Sequence, residues 1–414
     1  MKLKNTKLTG NIFLFLFLLM IMISKSIAQD ATYSGFLTDE NTFVDIKVHN
    51  GLIESISPRD PEIQSEAKVY VAPGLIDTQV NGYTSVSFNR EGLTKEKVDK
   101  ITRAMWKEGV TTYFPTIVTN SSELIIENLE ILVDATEVYP EISYSIPGFF
   151  LEGPYISPID GFRGAHTKEW VRGSDWEEFS RFMNAAKGKI IQVGLAPEIE
   201  GAMDFIQKCR EKNIIVSLAH HNGTPEQIEE AVRLGASVTT HLGNGCANMI
   251  HRHDNPIWPQ LANDKLTPSI IADGHHLRKE ELQTFFKVKG EDNLMLVSDA
   301  TELAGMPAGT YQWNGKEVVM TEDGMLKYPA QNVLAGASFP IRTGIKNMML
   351  LAGCSLEESI KMASTTPSRV YNLKDRGELR EGLSADMILF TVEDGEIIIH
   401  KTVLQGKIVY QRDN

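Results

Sequence analysis

The sequence predicts an α/β fold: a (β/α)8 barrel of the TIM type with a small β-sandwich domain built from both chain ends. From about residue 70, eight short β-branched or apolar runs alternate with longer amphipathic stretches. Both chain ends instead show the period-2 alternation of half-buried strands. A chain of 414 residues is long enough to form one such barrel with attachments.

The first 28 residues differ from the rest of the chain. Lys2, Lys4 and Lys7 precede an apolar run at 12–23, and small residues follow it up to Ala28. This order is typical of a secretory signal peptide, so we expect residues 1–28 to be removed and the protein to be exported, to a periplasm or outside the cell. A membrane anchor is the alternative, but 12 apolar residues are short against the ~20 that span a bilayer. No stable membrane insertion is expected after removal of the signal.

The barrel elements follow one another at regular intervals. Between the predicted strands lie helix-like segments such as 94–109, 122–136 and 224–236, the last of which begins with a threonine cap. An open, doubly wound sheet is the alternative arrangement for such units. The predicted strands are 74–80, 111–118, 146–152, 189–198, 213–220, 236–242, 266–273 and 293–299.

The flanking segments complete the predicted architecture. Residues 29–71 and 371–414 are expected to form the β-sandwich, with the barrel at 72–370 between them. An insert at about 305–332, after the eighth strand, has the pattern of hairpins. Its position predicts either a flap over the barrel or an excursion to the sandwich.

Charge and cysteine content exclude several classes of protein. The net charge is −13, and removal of a leader with four lysines and no acids would leave −17. Nucleic acid is therefore not an expected partner, because phosphate binding needs clustered Lys and Arg. An odd number of cysteines without CxxC spacing argues against a disulfide framework and a structural zinc knot. The cysteines are Cys209, Cys246 and Cys354.

Polar side chains stand where the predicted strands end, which is the place of catalytic groups in barrels of this kind. Eight of the ten histidines fall between residues 166 and 276. This concentration indicates a site rather than scattered structural histidines. The strand-end residues are Gln79, Asn81, Glu152, His220, His241, Asp273, His275, His276 and Asp299.

Three of these residues predict a metal site. Glu152, His220 and His241 would converge from neighbouring strands, and two imidazoles with one carboxylate leave a coordination position open for water. Taken singly, each could be a hydrogen-bonded structural residue. Asp299 is the candidate for proton transfer, with an N-cap as its alternative role. A metal lowers the pKa of water toward ~7, so this set fits hydrolysis of an unactivated amide.

Short motifs in a fixed order cover nearly all of the mature chain. They are APGLIDTQVNGY (72–83), FLEGPYISP (150–158), GAH (164–166), LAPE (195–198), AHHNGT (219–224), THLGNG (240–245), ADGHH (272–276), VSDA (297–300), LAGAS (334–338) and ASTTPSRVYNLKDRGELREGLSADMILF (363–390). Together they resemble the N-acetylglucosamine-6-phosphate deacetylases of the amidohydrolase superfamily.

The resemblance implies a role for each matching position. It makes Glu152, His220 and His241 the metal ligands and Asp299 the catalytic aspartate. It also implies that the subunits form a homodimer. The positions that it assigns to the substrate are His166 at the acetyl carbonyl, His276 at the sugar, and Ala165, Asn244, Gly245, Leu334, Ala335 and Gly336 along the pocket.

The first-strand motif bears on the number of metal ions. Many amidohydrolases carry His-x-His there and hold two metals, whereas this chain has Gln79-x-Asn81. Neutral amides are poor ligands for a second ion. We therefore expect one divalent metal ion per subunit. Zinc is the preferred candidate, and iron or another divalent ion is the alternative.

The sequence departs from the family in the loop at 243–256. The family reads THLFNAM where this chain has THLGNGCANM. Arg252 stands eight residues after Asn244, the spacing at which related enzymes place an arginine that reaches the sugar phosphate across a dimer interface. With His251 and His253 it could form a cationic clamp, or the loop could simply be solvated.

The expected function is metal-dependent hydrolysis of an N-acetylated amino sugar, most simply N-acetylglucosamine 6-phosphate to glucosamine 6-phosphate and acetate. The leader raises a conflict, since phosphorylated amino sugars are normally made and consumed inside cells. The alternatives are an exported deacetylase of unphosphorylated N-acetylhexosamine or another N-acyl compound, and a non-catalytic secreted sugar-binding homologue.

Overall fold

The computed structural model describes residues 30–39, 42–60, 68–313, 316–329, 333–334 and 336–413. The predicted signal peptide at 1–28 and the predicted pocket residue Ala335 lie outside these ranges. Within them, no helix has the length and apolar character that crossing a membrane requires.

Strands and helices alternate along the middle of the described chain. The strands are β1 (Ala31–Phe36), β2 (Phe43–His49), β3 (Leu52–Pro58), β4 (Tyr70–Pro73), β5 (Leu75–Val80), β6 (Gly82–Tyr83), β7 (Val86–Ser87), β8 (Val110–Val118), β9 (Phe149–Glu152), β10 (Ile190–Leu195), β11 (Ile215–Leu218), β12 (Ala236–Thr239), β13 (Thr267–Ile270), β14 (Met295–Leu296), β15 (Gly309–Trp313), β16 (Lys316–Met320), β17 (Leu326–Tyr328), β18 (Val333–Leu334), β19 (Met387–Glu393), β20 (Glu396–Leu404) and β21 (Lys407–Gln411). The α-helices are α1 (Lys95–Lys107), α2 (Ser122–Val138), α3 (Pro140–Ser145), α4 (Trp176–Ala185), α5 (Ala202–Glu211), α6 (Pro225–Leu234), α7 (Ile257–Ala262), α8 (Lys279–Lys289), α9 (Ile341–Asn347), α10 (Leu356–Met362) and α11 (Thr365–Val370). A 3-10 turn lies at Lys168–Trp170 and a π-helical turn at Met348–Ala352.

Eight parallel strands form a nearly closed barrel. They lie in the order β14-β13-β12-β11-β10-β9-β8-β5, so each strand pairs with its neighbour along the chain. A doubly wound sheet would reverse its strand order at a switch point, and no such reversal occurs among these strands. The predicted (β/α)8 barrel is therefore confirmed, with all eight predicted strands present.

The barrel strands end earlier than the apolar runs predict. β11 ends at Leu218 and β12 at Thr239, although the runs continue to residues 220 and 242. The reason is the backbone of the histidines that follow: His220 has φ +47° and His241 has φ +34°. Extended strands require negative φ, so these two residues leave the sheet.

Helix caps fix the barrel helices at their ends. The side chain of Thr94 accepts a hydrogen bond from the amide of Lys97 at the start of α1. At the start of α6, Thr224 and Gln227 form a reciprocal capping box. The apolar faces of these helices pack on the strands and join the main hydrophobic core, which holds the strand ends, and the site built on them, in place.

Both chain ends contribute to one β-domain, as predicted. Its seven strands lie in the order β21-β20-β19-β4-β1-β2-β3, and β4 joins the two halves by pairing with both β1 and β19. Side chains from both halves, including Val44, Ile46 and Met387, share one apolar core. The hydroxyl of Tyr33 donates to the carbonyl of Gly406 at 2.9 Å, which links the halves across that core.

The insert after the eighth strand forms a four-stranded antiparallel sheet, β15 to β18. The predicted hairpins are present, although residues 314–315 and 330–332 lie outside the described ranges. The described strands of the insert make no ladder with the seven-stranded sheet. Instead, His275 after β13 bonds through Nε2 to the carbonyl of Asp323 at 3.0 Å. The insert is therefore attached beside the barrel mouth.

Candidate active site

Three predicted ligand atoms meet at the carboxyl end of the barrel. Glu152 is the last residue of β9, and His220 and His241 follow the ends of β11 and β12 by two residues each. Oε1 of Glu152 lies 3.0 Å from Nε2 of His241 and 3.4 Å from Nε2 of His220. The two Nε2 atoms are 3.2 Å apart. Among the described residues, this is the group of three or more His, Cys, Asp or Glu side chains that could hold a metal ion.

The chemistry of these atoms suits a divalent cation. Nδ1 of His220 lies 3.1 Å from the carbonyl oxygen of Phe162, which can only accept, so Nδ1 carries the proton. The lone pair of His220 Nε2 is then free to face Glu152 and His241. The backbone amide of His241 donates to Oγ of Ser269 at 2.9 Å, which holds the main chain of the second histidine, while its buried Nδ1 has no partner within the described residues. Two imidazoles and one carboxylate form a ligand set for zinc or a related ion.

The electrostatics of the cluster favour an ionised carboxylate. Burial acts to raise the pKa of Glu152, but its contacts with the imidazoles of His220 and His241 outweigh burial and hold that pKa well below its ordinary range. Burial likewise acts to lower the pKa of His241, and the bond to Glu152 reverses it, so the pKa of His241 is raised. Glu152 is therefore negatively charged in the folded protein and ready to hold a cation.

The site stores backbone strain. His220, His241 and Asp299 all have positive φ, at +47°, +34° and +51°. Non-glycine residues in this region are uncommon and cost of order 1–3 kcal/mol each, and they cluster at functional sites. Each of the three follows a barrel strand, so the same conformation turns three strand ends toward one centre.

Two glycines allow loops to cover His220 closely. A Cβ on Gly164 would lie 2.8 Å from Cε1 of His220, and a Cβ on Gly245 would lie 2.9 Å from its Nδ1. Both glycines have positive φ, at +59° and +61°. The GAH and GNG motifs therefore need glycine for two reasons, the backbone conformation and the contact with the imidazole.

Asp299 is held by the first-strand motif. Its Oδ1 accepts from Nδ2 of Asn81 at 2.6 Å and from Nε2 of Gln79 at 3.0 Å. Burial and the negative charge of Glu152 raise the pKa of Asp299 to about 6, although His241, His276 and the Asn81 bond act to lower it. The two amides that replace His-x-His thus donate to a carboxylate. Such a group, with a pKa near neutrality, suits proton transfer.

His166 packs against His220 of the candidate ligand group. Its ring lies 4.3 Å from the ring of His220, centroid to centroid, and its Nδ1 lies 2.8 Å from Oγ1 of Thr119. Burial and the neighbouring His220 lower the pKa of His166 to about 3, so its ring is neutral. When Thr119 donates to Nδ1, Nε2 carries the proton and can donate to a substrate.

His276 is oriented by a carboxylate. Its Nδ1 lies 2.8 Å from Oδ2 of Asp273, whose Oδ1 accepts the backbone amides of His275 and His276. Burial acts to raise the pKa of Asp273, but the hydrogen bond with His276 outweighs burial, so the pKa of Asp273 is lowered. The ring of His276 is thus fixed at the end of β13, where a sugar could reach it.

The remaining predicted pocket residues lie at different depths. Asn244 follows His241, and its buried Nδ2 has no partner within the described residues. Gly336 has φ +89° and precedes Ala337, which pairs with Ala300 beside Asp299. Leu334 is half-buried in β18. Ala165 and Arg252 are exposed, so Arg252 lies at the surface of a single chain and not in the candidate ligand group.

Sequence reasoning missed two residues that shape the site. Thr119 orients His166, and Asp77 in β5 bonds to the backbone next to Asp299. Asp77 stands in the predicted first strand, and a carboxylate inside an apolar run is itself a signal that could have identified it. Thr119 carries no comparable signal, because buried threonines are common in barrel strands.

Comparisons with known proteins agree with this geometry. Residues 70–409 match the family model of the amidohydrolase family. The N-acetylglucosamine-6-phosphate deacetylase of Lysinibacillus sphaericus is 30% identical over 352 residues, covering 83% of this chain and 87% of that protein. The N-acetylgalactosamine-6-phosphate deacetylase of Escherichia coli O157:H7 is 28% identical, covering 91% of this chain and 96% of that protein.

A solved structure extends the likeness to three dimensions. The N-acetylglucosamine-6-phosphate deacetylase of Thermotoga maritima superposes with a TM-score of 0.80 at 26% identity, over 92% of this chain and all of that one. The family is metal-dependent, and this chain has a possible metal-binding triad in Glu152, His220 and His241. The predicted resemblance is confirmed. The protein is a hydrolase that belongs to the amidohydrolase family.

Proposed function

We propose that the protein hydrolyses the N-acetyl group of an N-acetylated amino sugar, most simply N-acetylglucosamine 6-phosphate, to give the amine and acetate. The observation that carries the proposal is the convergence of Glu152, His220 and His241 within 4.8 Å of one another, next to the half-buried Asp299. Similarity to deacetylases of amino sugar phosphates supports the choice of substrate.

Glu152, His220 and His241 would hold one divalent ion, with zinc first among the candidates. When bound, such an ion supplies Lewis-acid activation of water and of the acetyl carbonyl. A single ion is proposed because the amides of Gln79 and Asn81 donate to Asp299 and thus face a carboxylate rather than a second cation.

Asp299 would transfer the proton. Its Oδ1 is occupied by two amide donors, which leaves Oδ2 to accept a proton from the attacking water. With a pKa raised to about 6, the same carboxyl can then deliver that proton to the leaving nitrogen. Amines leave poorly as anions, so this delivery is required for cleavage of an amide.

His166 and His276 would orient the substrate. Neutral His166, with Nδ1 engaged by Thr119, would donate from Nε2 to the acetyl oxygen as negative charge develops there. His276, fixed by Asp273 at 2.8 Å, would bond a sugar hydroxyl. His166 is buried, His276 is half-buried, and each imidazole is held by a partner, so their positions are set before substrate arrives.

The cation for a sugar phosphate would come from Arg252. This arginine is exposed, as are His251 and His253 beside it. We propose that the protein forms a homodimer in which Arg252 reaches the partner's pocket. Arg252→Ala should weaken turnover of the phosphorylated sugar selectively, by about 1.5–3 kcal/mol for one charge-assisted bond. Arg233→Ala, an exposed arginine on α6 paired with Glu230, is the matched control. Equal losses on phosphorylated and unphosphorylated sugars would reject the assignment of Arg252.

The experiment that tests the function is acetate release on a panel of N-acetylhexosamines. Each sugar, gluco and galacto, is supplied with and without the 6-phosphate, and the metal content of the same preparation is measured. The galacto pair is included because relatives of both sugar types occur. Release from a 6-phosphate supports the proposal. A protein that binds these sugars, holds no metal and releases no acetate would instead be a non-catalytic sugar-binding homologue.

The leader favours a second candidate. Export of the mature chain, predicted from residues 1–28, would separate the enzyme from intracellular sugar phosphates. The substrate would then be an unphosphorylated N-acetylhexosamine or another N-acyl compound. Cell fractionation of the full-length chain tests this, with cleavage read from the N-terminal sequence. An uncleaved chain in the cytosol would remove the reason for this candidate.

A further inference from the structure

The barrel has a seam between β14 and β5, the two end strands of its hydrogen-bonded order. β14 consists of Met295 and Leu296 alone, so single backbone hydrogen bonds, rather than a continuous ladder, join the chain after β14 to β5 and the residue that follows it. The amide of Asp299 donates to the carbonyl of Gln79 at 3.0 Å, and the amide of Asn81 donates to the carbonyl of Ala300 at 2.8 Å. Asp299 therefore stands on the seam itself.

The carboxylate of Asp77 crosses this seam. Its Oδ1 accepts the backbone amide of Ser298 at 3.1 Å, and that of Gln79 at 3.4 Å. Asp77 is fully buried, and Ser298 is 4% exposed. Water cannot replace this acceptor without a rearrangement, and an unpaired buried amide is costly. The Ser298 amide thus depends on Asp77.

Ser298 in turn shapes the backbone of Asp299. Its Oγ accepts the amide of Ala300 at 3.1 Å and donates to the carbonyl of Gln79 at 3.4 Å. These bonds hold the residues on both sides of Asp299, which has φ +51°. An aspartate with a left-handed backbone conformation keeps it only when the surrounding structure holds the residues on either side.

We propose that Asp77 is a positioning residue for Asp299: its carboxylate oxygen holds the Ser298 amide across the barrel seam, and this keeps the proton-transfer carboxylate in place. The inference rests on the proposed function, in which Asp299 moves the proton. This positioning role requires an acceptor oxygen at position 77 but does not require a negative charge there. That requirement separates it from a direct role of Asp77 in proton transfer.

The test compares Asp77→Asn with Asp77→Ala. Asparagine keeps an acceptor oxygen and loses the charge, whereas alanine loses both. Asp386→Ala is the matched control, because Asp386 is also buried and accepts a backbone amide, from Gln405 at 2.7 Å, in the chain-end domain. For each variant, kcat and KM for acetate release from N-acetylglucosamine 6-phosphate, metal content and Tm are measured.

We expect Asp77→Ala to lower kcat about 10- to 100-fold, as for a misplaced catalytic group, with KM and metal content unchanged. Asp77→Asn should restore most of kcat. Asp386→Ala should lower Tm and leave kcat per folded chain unchanged. The inference is overturned if Asp77→Ala keeps the wild-type kcat, or if Asp77→Asn is as inactive as Asp77→Ala.

A second readout does not depend on activity. In a crystal structure of Asp77→Ala, Asp299 should lose its left-handed φ or its bond to Asn81. An unchanged Asp299 would overturn the inference even if the wild-type protein releases no acetate from any sugar tested. A wild-type protein without activity, but with Asp299 displaced in Asp77→Ala, would reject the proposed function and leave the positioning contact standing.

Discussion

Substitution of Asn81 by leucine tests the role of the first-strand motif most sharply. The Asn81 Nδ2 atom donates to Oδ1 of Asp299 at 2.6 Å, and leucine has a similar shape with no donor. A hydrogen bond to a charged group is worth about 1.5–3 kcal/mol. Since 1.36 kcal/mol corresponds to one pH unit in a pKa, the pKa of Asp299 should rise by about 1 to 2. Asp299 must be ionised to accept a proton, so activity is lost as pH falls through that pKa. The loss should therefore begin at higher pH in the variant.

The assay is the pH dependence of kcat/KM for acetate release from N-acetylglucosamine 6-phosphate. A bound cation would lower the pKa of Asp299 in both proteins, so the difference between the two acid limbs is the informative quantity. Asn128→Leu is the matched control, because Asn128 is buried in α2 outside the site. Its acid limb should coincide with wild type. An acid limb that does not move in Asn81→Leu would refute the assignment of Asp299 as the proton acceptor.

Three further predictions follow from named contacts. Gly245→Ala and Gly188→Ala should each lose about 1–2 kcal/mol of unfolding free energy, because alanine is strained at a left-handed φ. Only Gly245→Ala should also lose metal affinity, because a Cβ at Gly188 meets nothing within 4 Å. Equal metal binding by the two variants would contradict the contact between position 245 and His220. His166→Phe should lower kcat on the order of 10²–10³-fold if Nε2–H stabilises the oxyanion. The pH–activity profile of the wild type should show no limb from His166 above pH ~4, since the pKa of His166 is about 3. A kcat of His166→Phe within a few-fold of wild type would exclude that role. Burial raises the pKa of Asp77 to about 7 against ~3.9 in the unfolded chain. Between these values the folded state binds the extra proton, so the unfolding free energy should fall by at most ~4 kcal/mol as the pH rises from about 4 to 7. Asp77→Asn should lack that component in urea titrations, and pH profiles identical to wild type would contradict it.

The fold was predictable because its signals are local and periodic. Eight apolar runs separated by amphipathic segments predict a parallel barrel, and strand-end polar residues predict where its site lies. The ends of strands were less predictable. An apolar run such as 236–242 does not reveal that His241 adopts φ +34°, because that conformation depends on contacts with β9 and β13 that are distant in sequence.

The candidate metal ligands were predictable from residue type and position, whereas the residues that support them were not. Glu152, His220 and His241 stand at strand ends in the sequence, and the fold brings them together. The bond from Asn81 to Asp299 joins residues 218 positions apart, and no local pattern indicates it. The motif at 79–81 predicted the absence of a second metal ion, but its bonds to Asp299 became visible only in the structure.

Arg252 and the flanking His251 and His253 are exposed. The spacing of Arg252 from Asn244 suggested a phosphate contact, and in a single chain the arginine lies on the surface. A contact made across a dimer depends on a second chain, so only the paired-substrate measurement assigns it.

The candidate metal site is tested by measuring metal content and acetate release on the same samples of the purified mature protein and of Glu152→Gln. We expect one divalent ion per wild-type chain, activity that disappears on chelation and returns with the metal, and an inactive variant that retains little or no ion. Full activity in metal-free wild-type protein, or equal metal occupancy in the variant, would contradict this expectation.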